Sequence, residues 1–385
     1  MNSVSIISYP SAKKNLLLSM ADTQSRYMLP FAGKYRTVDF TLRNISRIKP
    51  EKILFFSYHS DDLNSYLQNH PQVMKLPENT VSCIYDEAFS LQFLNETFSQ
   101  TETKHFIFIN GDIPAIADID KLYDEYKSKK SDSILFQLKI NGRQSMLHTV
   151  LITNRKTVLN VLKKTSRENN SSPNTFEMLQ NMIILKKTTN SSFNGTFWNI
   201  NTIPEFYHTN FLLCRKNEYN SLIFNDTNLI SGFNPENPAH IGRNSSVSNS
   251  FISDGCIING KVEDSIIFPG VVVAEKTIIR NCILLPFVAV NSYCYIENTV
   301  IDEFSDFNKT NILFNIGERC RIGRDLMNLK NMQFPKSVYK GLTLIGKNCI
   351  LPGNQEIGGG CYISSGIDPE YFLKYRTIQN GQAVI

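Results

Sequence analysis

Two cations, Lys34 and Arg36, follow Gly33 closely in the sequence. Pro30 disfavours a helix at the residue before it, and Gly33 permits a backbone conformation that other residues resist. The segment is therefore predicted to form a loop that presents both cations and then starts a helix over residues 38–48. Two fixed cations near a helix start suit an anionic ligand such as a phosphate. A solvated basic loop at a subunit contact is the alternative interpretation.

Asp112 is the second residue that suggests a chemical role. It stands three residues beyond the apolar run 105–109, which is typical of a buried strand. A carboxylate at the end of a strand is well placed to hold a magnesium ion that bridges phosphates. An aspartate just before Ile113 and Pro114 is also typical of a turn or a helix cap. The sequence leaves both interpretations open.

The composition narrows the classes of function. The 385 residues are 42% hydrophobic, which is enough for one large domain or two ordinary ones. The net charge of +5 is modest and the basic residues are scattered, so neither nucleic acid nor a membrane is an expected partner. No apolar run has the length of a transmembrane helix and no signal peptide is recognised, so a cytoplasmic location is expected. The eight cysteines form no Cys-x-x-Cys pair, which favours buried free thiols over disulfides or a zinc site.

Strand-like and helical patterns alternate through the first part of the chain. The strand-like runs are at 3–8, 52–57, 80–85, 105–109 and 133–140, and the helical patterns are at 38–48, 61–69 and 120–127. Such alternation predicts an α/β domain with a Rossmann-like, mostly parallel mixed sheet. Ligands in these folds bind beyond the carboxyl ends of the strands. The loops after Ser8, Tyr85 and Ile109 are therefore expected to surround one crevice.

An internal repeat occupies the last part of the chain. Four similar segments begin at Asn249, Asp264, Asn281 and Asn298, which are 15, 17 and 17 residues apart. Aliphatic residues recur near every sixth position within them, which predicts a left-handed parallel β-helix of hexapeptide repeats. Asparagine and glycine suit its corners, where a positive φ is needed. The predicted domains are residues 1–224, a linker at 225–240 and a β-helix at 241–385, with an excursion or edge element near 326–338.

A hexapeptide-repeat acyltransferase is one function that this repeat could serve. Such enzymes need a histidine base that projects from a coil, and residues 241–385 contain no histidine. The β-helix is therefore expected to hold subunits together and to transmit effector binding, rather than to catalyse a reaction.

The segment Pro-Phe-Ala-Gly-Lys-Tyr-Arg-Thr-Val-Asp-Phe, which begins at Pro30, resembles the start of the glucose-1-phosphate adenylyltransferases. These enzymes usually read Pro-Phe-Gly-Gly-Lys-Tyr-Arg, followed by two hydrophobic residues and Asp-Phe. The resemblance implies a nucleotidyltransferase-like domain, the β-helix, and tetramers built partly through it. It also places Asp112 at a metal-binding position and Asn199 where the family has a second metal-binding aspartate. Arg26 stands in the place of a family lysine.

Several departures from the family pattern concern the nucleotide site. The family has a turn of sequence Gly-Gly-x-Gly-x-Arg-Leu after its first strand, whereas residues 8–16 here contain no glycine. The loop after Tyr85 lacks the family's base-binding Gly-Thr-Ala-Asp-Ala run, and no counterpart of its sugar-binding Glu-Lys-Pro is found. A neutral amide such as Asn199 is also a much weaker magnesium ligand than a carboxylate.

Together these features predict a regulatory-type, catalytically weak or inactive subunit of bacterial glycogen synthesis. It would pair with a catalytic glucose-1-phosphate adenylyltransferase subunit, in a tetramer, and respond to a phosphorylated effector. Arg26, Lys34 and Arg36 are the predicted anion ligands. Two alternatives remain: an active enzyme that uses Mg²⁺ on Asp112 to make ADP-glucose, and a nucleotide or sugar-phosphate sensor without an enzyme partner.

Overall fold

The computed structural model describes residues 3–10, 16–22, 24–59, 62–86, 88–140, 143–165, 175–215, 217–233, 237–305, 313–324 and 328–385. Four of the sequence features discussed above fall partly outside these ranges. Residues 11–15 of the glycine-free turn, Glu87 of the loop after Tyr85, residues 234–236 of the linker and residues 326–327 of the excursion are not described. Residues 166–174 also lie outside the described ranges.

The first part of the chain builds a seven-stranded sheet and two short two-stranded ones. The strands are β1 (Val4–Tyr9), β2 (Pro30–Phe31), β3 (Tyr35–Arg36), β4 (Lys52–Ser57), β5 (Val81–Tyr85), β6 (His105–Asn110), β7 (Ala115–Ile116), β8 (Ser133–Ile140), β9 (Arg143–Asn154), β10 (Thr188–Asn194) and β11 (Thr196–Phe197). The large sheet has the order β10-β8-β9-β6-β1-β4-β5. Only β9 runs antiparallel to its two neighbours, so the predicted mixed α/β sheet is confirmed.

The helices of this part are α1 (Ser19–Asp22), α2 (Thr37–Ile45), α3 (Leu63–Gln68), α4 (Leu91–Ser99), α5 (Ile119–Ser128), α6 (Arg155–Thr165), α7 (Thr175–Lys187), α8 (Ile203–Arg215) and α9 (Asn217–Phe224). Helices α2, α3 and α5 pack on one face of the large sheet, and α4, α6 and α7 pack on the other. Alternate side chains of a strand point to opposite faces, so neighbouring residues of β1 enter different cores. Ile6 packs with the α2 and α5 side, whereas Ile7 packs with α4, α6 and α7.

The second part of the chain is a stack of short parallel strands. They are β12 (His240–Ile241), β13 (Ser246–Ser248), β14 (Phe251–Ile252), β15 (Ile257–Ile258), β16 (Lys261–Glu263), β17 (Ile266–Ile267), β18 (Val272–Val273), β19 (Ile278–Arg280), β20 (Ile283–Leu284), β21 (Ala289–Val290), β22 (Tyr295–Glu297), β23 (Thr299–Ile301), β24 (Arg321–Ile322), β25 (Thr343–Ile345), β26 (Glu356–Ile357), β27 (Tyr362–Ile363), β28 (Thr377–Ile378) and β29 (Ala383–Val384). One helix, α10 (Pro369–Lys374), interrupts the last coil. Every third strand belongs to the same sheet over the first coils, which confirms the predicted hexapeptide-repeat β-helix.

The corners of the coils explain the polar residue that opens each repeat. Asn249, Asp264, Asn281 and Asn298 have φ values of 44°, 46°, 49° and 46°. Asparagine and aspartate tolerate this left-handed conformation better than other residues with a side chain, because a short polar side chain can bond locally. The predicted corner positions are therefore confirmed.

The two parts of the chain share one apolar core. A single cluster contains Phe31, Trp198 and Phe206 from the α/β part together with Ile283 and Leu344 from the β-helix. The sheet that carries β14, β17, β20, β23, β25 and β27 supplies the β-helix side of this contact. The loop of Gly33 is therefore held against a rigid stack.

Gly33 brings its backbone close to the β-helix in this contact. Its φ is +80°, and a Cβ built on it would lie 2.3 Å from Cε1 of Phe251. Its carbonyl also accepts a hydrogen bond from Ser253 Oγ. We expect Gly33→Ala to lower the free energy of unfolding by about 2–4 kcal/mol, because backbone strain and overpacking add. Denaturant titration measures this loss.

The matched control for Gly33 is Gly366. It has a φ of +70° but no heavy atom within 4 Å of a built Cβ, so Gly366→Ala tests the backbone conformation alone. This variant is expected to lose only about 1 kcal/mol. Equal losses for the two variants would show that the contact with Phe251 contributes nothing.

Candidate functional site

The carboxyl ends of β1 and β6 form the centre of the predicted crevice. The two strands are parallel neighbours, and Tyr9 lies in register with Asn110 at their ends. β4 and β5 continue the parallel arrangement on the other side of β1. The loops that follow β1, β5 and β6 therefore leave the same edge of the sheet, as the sequence predicts.

Aromatic side chains of the chain itself cover part of this edge. The ring of Tyr9 stacks on Phe176, near the start of α7, with centroids 5.3 Å apart. Phe176 also contacts Phe56 and Phe89, at 4.9 and 5.6 Å. Thr175 Oγ1 donates a hydrogen bond to the carbonyl of Phe89, which ties α7 to the loop after β5. All four rings are at most 4% exposed, so this side of the crevice is filled by protein.

A small polar pocket of about 260 Å³ remains beside the stacked rings. Its lining residues are Tyr9, Asn110, Leu135, Thr149, Glu177, Gln180, Asn181 and Ile184. The Nε2 atom of Gln180 is buried and makes no hydrogen bond of normal geometry within the described residues. Burial also raises the pKa of Tyr9, so its hydroxyl stays neutral. Amide and hydroxyl groups with one carboxylate, that of Glu177, and no basic side chain suit an uncharged polar ligand better than a phosphate.

Asp112 lies at the end of β6 with an arginine beside it. Its carboxylate is 1% exposed, and Oδ2 is 3.8 Å from Nε of Arg26. Nη2 of Arg26 donates a hydrogen bond to Oδ1 of Asn201, at 3.0 Å. The guanidinium thus links Asp112 to the segment that follows β11. A fixed cation therefore already lies on the side of Asp112 that faces Asn201.

Asn199 takes part in the start of α8. Its Nδ2 donates to Oε1 of Glu205 at 2.9 Å, and its Oδ1 accepts from the backbone N–H of Asn201 at 3.2 Å. An aspartate here would place its carboxylate against that of Glu205, which is unfavourable without a cation between them. Asn199 is neutral and its amide is hydrogen-bonded to Glu205 and Asn201, so Asp112 and Asn199 do not fit a magnesium site with two carboxylates. Among the described residues no cluster of three or more His, Cys, Asp or Glu side chains could hold a metal ion.

The three predicted anion ligands have three different surroundings. Lys34 is half-buried, with its Nζ 5.3 Å from the ring centroid of Tyr35, and within the described ranges it has no carboxylate partner. Arg26 faces Asp112, as described above. Arg36 is only 7% exposed and faces a carboxylate of the β-helix. The structure does not bring the three cations to a common open site, and their role as effector ligands stays a prediction.

Arg36 corrects the expectation of a loop that presents both cations. β2 and β3 pair as a hairpin that turns the guanidinium inward, against Glu303. Nη1 and Nη2 donate to the two carboxylate oxygens of Glu303 at 3.1 and 2.9 Å, and Nη1 also donates to the carbonyl of Met28. Such a two-pronged pair is the strongest form of arginine–carboxylate contact. Arg36 thus connects the two parts of the chain rather than facing solvent.

Burial and the charge of Arg36 have opposite effects on the pKa of Glu303. Burial would raise the pKa of Glu303, but the charge and hydrogen bonds of Arg36 hold it below its usual value. The neighbouring Asp302 has no such partner: its Oδ1 accepts from the backbone N–H of Glu303, and its Oδ2 has no hydrogen bond within the described part of the chain. Burial raises the pKa of Asp302 to about 7.

Sequence reasoning missed Glu303 and the pocket side of α7. Glu303 is 267 residues from Arg36 along the chain, so no local pattern links them. A signal does exist in the repeat, because Asp302 and Glu303 occupy positions where the two preceding repeats have Phe268-Pro269 and Leu285-Pro286. A charged pair at an apolar repeat position indicates a buried partner. Helix α7 follows an undescribed polar segment and carries no comparable signal.

The fold is that of a nucleotidyltransferase-like α/β domain followed by a hexapeptide-repeat β-helix. A family model described as "GlmU-like, C-terminal hexapeptide" matches residues 237–345. The chain is 24% identical to a glucose-1-phosphate adenylyltransferase of Acetivibrio thermocellus over 92% of its own length and 91% of the relative's.

Two further relatives carry the same name. One, from Bacillus cereus, is 24% identical and aligns with 75% of this chain and 89% of its own. The other, from Clostridium beijerinckii, is 27% identical and aligns with 66% of this chain and 78% of its own. The resemblance to the glucose-1-phosphate adenylyltransferases is thereby confirmed along most of the chain. No helix in the described ranges is long and apolar enough to cross a membrane.

Proposed function

We propose that this chain is a regulatory, catalytically weak or inactive subunit of a glucose-1-phosphate adenylyltransferase in glycogen biosynthesis. It acts with a catalytic subunit of the same family, in a tetramer, and changes that subunit's rate or effector response. The observation that carries the proposal is the surroundings of Asp112. The carboxylate has Arg26 beside it, and the side chain predicted to share its metal is an amide bound to Glu205.

The crevice supports the same proposal. Transfer of an adenylyl group from ATP requires room for the triphosphate and groups that neutralise its charge. Tyr9 and Phe176 stack at the end of β1, and Phe89 is buried in the loop after β5. These are the positions where the family resemblance places phosphate and base contacts. A family member without these contacts can keep its fold and its subunit contacts while it loses catalytic activity.

The test is pyrophosphate release with ATP, glucose 1-phosphate and Mg²⁺. The purified chain alone is expected to be at least about a hundredfold slower than the Acetivibrio thermocellus relative, because a metal ligand and the phosphate contacts are missing. Mixed with a catalytic subunit from its own organism, it is expected to change the maximal rate or the response to a phosphorylated effector. The control is the catalytic subunit with the same amount of heat-denatured chain.

Two outcomes would contradict the proposal. Release by the chain alone at a rate comparable to the relative's would show an active enzyme, with Mg²⁺ held at Asp112 in a conformation that differs from this one. The regulatory role would also be contradicted if the chain alone released no pyrophosphate and its addition changed neither the maximal rate nor the effector response of the catalytic subunit.

A sugar or nucleotide sensor is the second candidate, and the pocket beside Tyr9 favours it. The buried Nε2 of Gln180 makes no hydrogen bond of normal geometry in the described residues, and buried polar groups usually make one. Calorimetry with glucose, glucose 1-phosphate and ATP distinguishes the candidates. Binding by the chain without an effect on any catalytic subunit would favour the sensor, and loss of binding in Gln180→Leu would locate the ligand in this pocket.

A further inference from the structure

Another cavity lies at the edge of the large sheet opposite the crevice. It opens between the end of α2, the start of β4, the segment that follows α3 and residues 227–230 of the predicted linker. Ile53, near the amino end of β4, lies in its wall, whereas the crevice lies at the carboxyl ends of the strands. The cavity has a volume of about 310 Å³, which is within the range of small-molecule sites. We call it the linker pocket.

The walls of the linker pocket are mainly aliphatic. The residues that form this apolar surface are Leu42, Ile45, Ile48, Ile53, Leu76 and Ile230. The first four of them are at most 8% exposed, so this wall belongs to the packed interior. Lys75 is the only charged residue among the described residues that line the pocket, and it is exposed to solvent. Such a lining favours an uncharged ligand, because an ion would lose its hydration without gaining a buried partner.

Hydrogen bonds hold the linker wall of the pocket in place. Nε2 of Gln72 donates to the carbonyl of Asn228 at 2.6 Å, and Nε2 of His70 lies 3.1 Å from the carbonyl oxygen of Ile230. The backbone N–H of Asn228 donates to Oδ1 of Asp226 at 2.9 Å, which fixes the turn that enters this wall. The pocket is therefore formed before a ligand enters, which lowers the free-energy cost of binding.

Gln72 also supplies an unused acceptor. Its Oε1 is buried and has no hydrogen-bond partner among the described residues. The amide cannot be turned over, because the carbonyl of Asn228 only accepts and therefore requires the nitrogen of the amide on its side. Buried carbonyl oxygens usually accept a hydrogen bond, and aliphatic walls offer a water molecule few partners. The position therefore suits a ligand that brings its own donor.

We propose that the linker pocket binds a small uncharged molecule with an apolar body and one hydroxyl or N–H group that donates to Oε1 of Gln72. The body packs against the aliphatic wall, and the donor satisfies the buried acceptor. A bound molecule also contacts the linker and stabilises its attachment to the α/β part of the chain. This inference does not rest on the proposed function, because a regulatory subunit, an active enzyme or a sensor would carry the same pocket.

Calorimetry of the full chain with p-cresol and with toluene tests the inference, because these two probes differ by one hydroxyl group. We expect p-cresol to bind with a dissociation constant of about 0.1–1 mM, as suits its small size, and toluene to bind at least about tenfold more weakly. Gln72→Met keeps the length of the side chain but removes the acceptor, so the two constants should become equal within about twofold. Their ratio is the readout, because loss of the bond to Asn228 affects both probes alike.

The matched control is Gln180→Leu, which removes a buried amide from the pocket beside Tyr9. It should leave both dissociation constants unchanged, and circular dichroism should show that all variants remain folded. Hydrogen exchange of the full chain locates the probe: p-cresol should protect peptides that cover residues 72–76 and 226–230, but not those that cover 175–187.

Three results would overturn the inference. The first is no binding of p-cresol up to about 5 mM. The second is equal affinity for the two probes in the wild-type chain, or a preference for p-cresol that persists in Gln72→Met. The third is a preference that Gln180→Leu removes, since the probe would then lie beside Tyr9.

Discussion

Replacement of Arg36 by methionine is expected to lower the free energy of unfolding by about 3–5 kcal/mol. The guanidinium holds both carboxylate oxygens of Glu303 in a place that is almost closed to water. Without it, the remaining cation beside Glu303 among the described residues is Lys347, whose Nζ is 3.8 Å from Oε2. A buried charge with one weak partner must be desolvated or protonated, and either route costs free energy. Urea titration at neutral pH measures the loss.

The double variant Arg36→Met/Glu303→Leu is the control for this prediction. Apolar side chains of similar size often replace a buried ion pair with little loss, so most of the stability should return. The difference between the single and double variants then reports the cost of an unpaired Glu303 rather than the worth of the pair. A single variant that loses less than about 1 kcal/mol would show that water reaches Glu303 and that the pair does not connect the two parts of the chain.

The second large effect concerns pH and Asp302. Burial raises the pKa of this carboxyl from an ordinary 3.8 to about 7. A group with a raised folded-state pKa contributes stability that is complete below its unfolded pKa and is lost as the pH rises through its folded pKa. Between about pH 4 and pH 7, Asp302 therefore makes the protein progressively less stable. We expect Asp302→Asn to raise the free energy of unfolding at pH 8 by about 2–4 kcal/mol, and to have little effect near pH 4.

Glu303→Gln gives the opposite sign and serves as the matched control. The pKa of Glu303 is held below its usual value by Arg36, so its charge contributes stability above its unfolded pKa that is lost as the pH falls through its folded pKa. This variant should lose stability at pH 8, where Asp302→Asn gains it. Melting temperatures from pH 4 to pH 9 compare the two. Parallel curves for Asp302→Asn and the wild-type protein would show that Asp302 is ionised throughout this range.

The fold was largely predictable because its signals are local. The periods of apolar residues mark the strands of the large sheet, and the repeat spacing marks the coils. Helix α2 ends at Ile45 although the pattern extended to residue 48, because Ser46 and Ile48 bond to the preceding turn instead of continuing the helix. Asn249 and Asn281 were predictable as corners because their backbone conformation excludes most other residues.

The site was less predictable because its partners are distant in sequence. Asp112 and Asn199 could be placed by resemblance, but the contacts of Arg26 and Glu205 that decide their chemistry required coordinates. The prediction for Arg36 was wrong because it considered only the neighbouring residues of the loop, whereas the carboxylate that pairs with Arg36 belongs to a distant part of the chain. A charged residue near a glycine indicates a site only if nothing else in the fold neutralises it.

The core shared by the α/β part and the β-helix determines whether the two parts of the chain can be separated or exchanged for other domains. By composition, the segment 225–240 is the natural boundary at which to express the two parts separately. Each separate part would then expose residues of the shared core, Phe31 and Phe206 on one and Ile283 and Leu344 on the other. Exposed apolar patches of this size favour aggregation over independent folding. The two parts therefore behave thermodynamically as one cooperative unit, and neither can be exchanged for an unrelated domain without rebuilding the face it shares with the other.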